Sequence, residues 1–151
     1  MQLSTHSEQV NGIQLETWIT DQIRSIRKYT DRPIHIRPHP RCQLNTGGFK
    51  QVTINNPVAL RGTYDSFDLP LDCHAIVNYN SGPGIQAAIA GCRPVVDQSS
   101  LAYPVAVNTA DIDQPYTVDR KQWLVETSHT EYTVEELQQG LWLRRLELAL
   151  A

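Results

Sequence analysis

Two stretches of this chain carry residue types suited to holding an anion. The first is Asn80-Ser81-Gly82-Pro83-Gly84. It combines a hydroxyl, two glycines that leave backbone N–H groups bare, and a proline suited to the first turn of a helix. A helix starting here would turn its unpaired N–H groups and the positive end of its dipole toward a phosphate or carboxylate. The second is Arg37-Pro38-His39-Pro40-Arg41, an imidazole held between two prolines and flanked by two guanidiniums. Apart from these, Gln98-Ser99-Ser100 is a loop of small polar side chains directly after Asp97. The first two also have plainer readings: glycines that let a helix lie tightly on a strand, and a solvated basic loop.

Cys73-His74 is the other pair with reactive side chains. Adjacent side chains on a strand face opposite ways, which argues against a shared zinc ion or a Cys/His nucleophile. No other His, Cys, Asp or Glu spacing has the form of a metal site, so no metal is expected.

The elements that must position these groups follow from hydrophobic period. Residues 75–79 are a short apolar run with a branched centre and read as a buried strand. Small and apolar residues 85–90 follow as a short helix, stopped by Gly91, and residues 94–96 read as the next strand. This is a β-turn-α-β unit. Upstream, Leu15, Ile19, Ile23 and Ile26 repeat at helical spacing within residues 13–29, with Trp18 beside them. Residues 34–37 alternate as a strand, so Ile34 and Ile36 should face the core while His35 and Arg37 face away. The basic stretch therefore falls at a strand's C-terminal end, where open α/β sheets bind ligands. Residues 49–54 suggest an edge strand between turn signals. Residues 118–128 and a segment opened by the capping box Thr133-Val134-Glu135-Glu136 read as closing helices, the second running through Leu137, Leu141 and Leu146.

The chain has 151 residues, a net charge of -3 and 40% hydrophobic residues, with a mean hydropathy of -0.37. Those values suit one globular domain with a real core. We expect a polar N-terminal segment, 1–12, and a single domain, 13–151. No apolar run is long enough to span a membrane, and the N-terminus lacks the basic and apolar regions of a signal peptide. The acidic balance gives no broad reason to bind nucleic acid, except as an acceptor. Three separated cysteines fit a reducing compartment, so a cytoplasmic location is expected, in host cytoplasm if the source is viral.

Two readings of the glycine turn compete. Gly82-x-Gly84-x-x-Ala87 formally satisfies the dinucleotide fingerprint. Against that reading, the helix is short, and Asp97 comes early for the acidic residue expected about 20 positions on. The second reading is a resemblance. The segments T-D-R-P-I-H-I-R-P-H-P-R (30–41), H-A-I-V-N-Y-N-S-G-P-G-I-Q-A-A-I-A-G (74–91) and P-V-V-D-Q-S-S-L-A-Y-P (94–104) are followed by D-R-K-Q-W-L (119–124) and E-Y-T-V-E-E-L-Q-Q-G-L-W (131–142). In that order they resemble the C-terminal, nucleotide-sugar-binding half of GT-B-type glycosyltransferases and their relatives in phages and bacteria. The resemblance spans roughly residues 14–146.

The resemblance implies a three-layer, Rossmann-like α/β domain with a mainly parallel sheet and a helical C-terminus. It implies a nucleotide-sugar donor as substrate and no separate cofactor. His39 would contact the donor phosphate, with Arg37 and Arg41 beside it. Ser81, Gly82 and Gly84 would offer donors at the helix start, and Ser99 and Ser100 would lie near the same group. Because the acceptor half of a GT-B enzyme is not represented, a separate N-terminal-half chain or a homo-oligomer is the expected partner. The alternative from another class is a non-catalytic nucleotide-binding or structural module that reuses the fold.

Overall fold

The computed structural model describes residues 12–38, 49–55, 73–130 and 132–150. Helix α1 (Leu15–Ile26) forms where the sequence repeats apolar residues in steps of three and four. Leu15, Ile19, Ile23 and Ile26 are all buried, so one stripe of the helix is committed to the core. Arg27 ends it. Its guanidinium donates to the carbonyl oxygens of Thr30 (3.3 Å), Arg32 (2.7 Å), Lys50 (3.4 Å) and Gln51 (3.3 Å), which ties the helix end to the strands that follow.

Strands β1 (Ile34–Ile36) and β2 (Val52–Ile54) pair in parallel, with Ile34 opposite Val52 and Ile36 opposite Ile54. The period-two expectation holds for β1: Ile36 is fully buried and His35 is exposed. A second parallel pair, β3 (Ala75–Val77) and β4 (Arg93–Val95), sets Ala75 opposite Arg93 and Val77 opposite Val95. Between them runs helix α2 (Gly82–Ala90), which packs on both strands. A β-α-β unit in parallel register is therefore present, as the sequence predicts. Gly91 stops α2 in the left-handed region at φ 103°, and Cys92 N–H reaches back to the Ala87 carbonyl at 2.9 Å.

Helix α1 serves both strand pairs. Leu15, Ile19 and Ile23 cluster with Ile36, and Ile34, Val52 and Ile54 pack around them. One turn later, Ile26 joins Val77, Val95 and Ile112. Among the described residues the architecture is mixed α/β, with two two-stranded parallel pairs.

The contacts divide the chain into two compact units, Met1–Val118 and Asp119–Ala151. The second unit holds α3 (Lys121–Ser128), α4 (Val134–Gln138) and α5 (Leu141–Leu150). The capping box forms: Glu136 N–H donates to Thr133 Oγ1 (3.2 Å), and Thr133 N–H donates to the Glu136 carboxylate (2.7 Å). The helix it opens does not run on through Leu141. Gly140 adopts φ 72°, a left-handed conformation open to glycine, and splits the segment into α4 and α5. Among the described residues, no helix is long and apolar enough to cross a membrane.

Candidate functional site

The C-terminal ends of β3 and β4 hold the glycine turn and the serine loop side by side. The ladder continues past the regular strands, with Asn78 N–H on the Val95 carbonyl (3.2 Å) and Asp97 N–H on the Tyr79 carbonyl (2.9 Å). Both chains then diverge at the same level. One enters α2 through Asn80 and Ser81; the other enters the loop at residues 98–100.

Ser81 is the N-cap of α2, in extended conformation at φ -80° and ψ 154°. Its side chain does not cap the helix, and its buried Oγ has no hydrogen-bond partner. The first turn holds no acidic residue, so no neighbouring carboxylate in that turn offsets the helix dipole. The two glycines do different work. Gly82 is exposed, and a Cβ there would meet nothing within 4 Å. Gly84 is buried, and a Cβ there would run into the carboxamide of Asn78. Gly84 thus answers a packing demand, whereas Gly82 leaves backbone open to whatever approaches the helix start.

The serines also part ways. Ser99 is exposed, its N–H donates to Asp97 Oδ1 (2.9 Å), and its Oγ accepts from Asn80 Nδ2 (3.3 Å). Because that oxygen accepts from Asn80, its own O–H remains to donate outward. Ser100 is 4% exposed, and its Oγ accepts the Ala102 N–H at 3.2 Å, so it shapes the loop that carries Ser99. Arg37 is half-buried just beyond β1. His39 and Arg41 lie outside the described residues.

Beside the helix start, an open cleft of about 250 Å³ lies between α1 and the ends of β3 and β4. Trp18, Gln22, Asn78, Asp97, Asn108 and Thr109 are among its lining residues. Asn78 joins the cleft to the helix start. It is 2% exposed, donates weakly from Nδ2 to the Ser81 carbonyl at 3.4 Å, and leaves its buried Oδ1 without a partner. Sequence reasoning passed over this residue as part of the strand; the available signal was an amide at the end of an apolar run.

His74 and Arg93 stand at the opposite, N-terminal ends of the same strands. His74 Nε2 lies 2.8 Å from the Ile112 carbonyl, 3.1 Å from Asp113 Oδ1 and 3.0 Å from Arg93 NH1. Arg32 Nε also donates to Asp113, at 2.8 Å. Hydrogen bonds from Thr30 and Arg32 hold the Asp113 carboxyl below the usual aspartate range. Arg93 is 7% exposed and stacks over the Tyr116 ring at 5.7 Å. Cys73, which precedes β3, lies beside the Cys92 thiol. Burial and the neighbouring Cys92 thiol push its pKa up to about 12, the opposite of an activated nucleophile. No group of three or more His, Cys, Asp or Glu side chains fit to hold a metal occurs among the described residues.

No family model matches the chain, and neither a curated protein nor a solved structure matches it.

Proposed function

We propose that the C-terminal ends of β3 and β4 bind the phosphate of a nucleotide-sugar donor, in a Rossmann-like domain resembling the C-terminal half of GT-B glycosyltransferases. The observation that carries the reading is the start of α2: a helix without a side-chain cap or acidic first turn, with Gly82 open and the Ser81 hydroxyl unpartnered. It follows a parallel strand at the edge where α/β sheets bind ligands. The sequence resemblance adds the donor class and gives His39 the role of a second phosphate contact, flanked by Arg37 and Arg41.

The chemistry suits those groups. As the sugar–oxygen bond breaks, charge grows on the leaving phosphate, and preorganised donors stabilise that charge. Backbone N–H groups of α2 and the hydroxyls of Ser81 and Ser99 would supply such donors here. The acceptor and the base that activates it would come from a second chain.

Calorimetric titration with nucleoside diphosphates and their sugar conjugates tests this. Binding should weaken at least about tenfold in Gly82→Val, which obstructs the open backbone without a clash inside the protein. His39→Ala should weaken it further. Unchanged affinity in Gly82→Val would remove the helix start from the site, and unchanged affinity in His39→Ala would remove His39.

A further inference from the structure

Two cysteines at the N-terminal ends of β3 and β4 take no part in the candidate site. Cys73 is half-buried and Cys92 is 4% exposed, and both carry their sulfur as a thiol. The parallel register sets their separation. Ala75 lies opposite Arg93, so Cys92 stands one residue before that pairing and Cys73 two residues before it. Neighbouring strands lie about 4.8 Å apart and each residue rises about 3.3 Å, so this one-residue offset puts the two Cα atoms about 6 Å apart. Disulfides most often bridge Cα atoms about 5.5–6 Å apart. Direction matters as well, because side chains one residue out of step on regular strands face opposite ways. His74 sits in a bend and Cys73 lies outside the strand, so that alternation stops short of Cys73. The two thiols are hydrogen-bonded to each other, which brings the sulfur atoms together as well as the backbones.

We propose that Cys73 and Cys92 form a reversible oxidation site, closed to a disulfide by exchange with a low-molecular-weight disulfide. Cys73, the more accessible of the two, reacts first. It loses its proton, its sulfur attacks one sulfur of the small disulfide, and one small thiol leaves with a mixed disulfide formed at Cys73. The Cys92 sulfur, already in contact, then attacks the Cys73 sulfur and expels the second small thiol. Two protein thiols are oxidised to one disulfide while one small disulfide is reduced to two thiols, so electrons and protons balance. Burial keeps Cys73 protonated at neutral pH, so exchange is slow and the pair responds to sustained oxidation, not to a brief pulse. The closed ring contains β3, the glycine turn and α2, and it fastens β3 to β4 at the end away from that turn. The inference does not depend on the phosphate reading.

The test brings the full chain to equilibrium in mixtures of oxidised and reduced glutathione, blocks remaining thiols with iodoacetamide and maps the tryptic peptides by mass. Trypsin does not cut the Arg93–Pro94 bond, so Cys73 and Cys92 stay in one peptide, residues 62–120, while Cys42 goes to another, residues 42–50. The expected product is the 62–120 peptide without alkylation and two hydrogens lighter than its dithiol form. Dithiothreitol should restore both thiols. The same equilibrium in urea gives the unfolded reference. A fold that presents the two sulfurs together favours the bond, so the equilibrium constant in native buffer should exceed that in urea at least about tenfold. By linkage, the oxidised chain should then unfold at a higher urea concentration than the reduced one. Cys42→Ser should leave these results unchanged, and Cys92→Ser should stop at a glutathione adduct on Cys73. The wild-type map decides the matter even where Cys92→Ser does not fold. An equilibrium constant no larger in native buffer than in urea, a cross-link that runs to Cys42, or glutathione on Cys73 with no internal bond overturns the inference.

Discussion

Gly82 and Gly84 lie two residues apart in one turn, yet substitution should separate them sharply. A methyl group at Gly84 must displace the Asn78 carboxamide from the closest contact in the turn. Gly84→Ala should therefore cost about 1–3 kcal/mol, the usual range for overpacking. Gly82→Ala, facing open space at a helical position, should change stability by no more than about 0.5 kcal/mol. Urea unfolding of the two variants measures both. Asp113 supplies a second residue-scale expectation. Its folded-state pKa is held down first by the Thr30 hydrogen bond and then by Arg32. The carboxylate's contribution is thus present above the unfolded aspartate value, near 3.9, and fades as pH falls through the lower folded value. Asp113→Asn should be less stable than wild type at about pH 6, and the gap should narrow as the pH is lowered toward about 2. A gap that stays constant across that range would assign the effect to packing.

At the scale of elements, α1 is the common cover of both strand pairs, and its four buried residues divide between two clusters. Ile23→Ala, in the larger cluster, should cost about 2–5 kcal/mol, as for other buried large-to-small changes. Chemical denaturation gives the number, and a loss under about 1 kcal/mol would mean that α1 is not a core element. The capping box of α4 was legible in advance because its bonds join residues only three apart. The division of that segment into α4 and α5 was harder to read. Apolar spacing through Leu137, Leu141 and Leu146 continues across Gly140, and the glycine's left-handed φ is a backbone fact that a side-chain pattern does not report. Helix α2 starts three residues before the 85–90 stretch that the apolar pattern marks. Gly82, Pro83 and Gly84 look like turn residues, yet they are its first turn, because the fixed φ of Pro83 suits the start of a helix.

For the whole molecule, the described residues of the candidate site all lie in the Met1–Val118 unit. A protein ending at Val118 should unfold cooperatively and keep the nucleoside diphosphate affinity of the full chain within about threefold, less than the tenfold that marks a lost contact. Thermal unfolding and calorimetry on that fragment check this, and failure of the cooperative transition would make Asp119–Ala151 a requirement for folding. What the sequence by itself determined is local. The α1 stripe, the alternation of β1, the β-α-β unit and the Thr133 box all follow from side chains within a few residues of one another, whose spacing matches the period of the backbone. Only the tertiary structure decided which residues meet across distance. It set Asn78 against Gly84, so one glycine of the turn serves packing and the other stays open. It turned the Ser100 hydroxyl inward and left that of Ser99 outside. It brought His74, Arg93 and Asp113 together from separate parts of the chain, at the end of the strands away from the glycine turn. The physical reason is the same in each case: burial and hydrogen-bond partners depend on which surfaces pack together, and that information is spread over the whole chain.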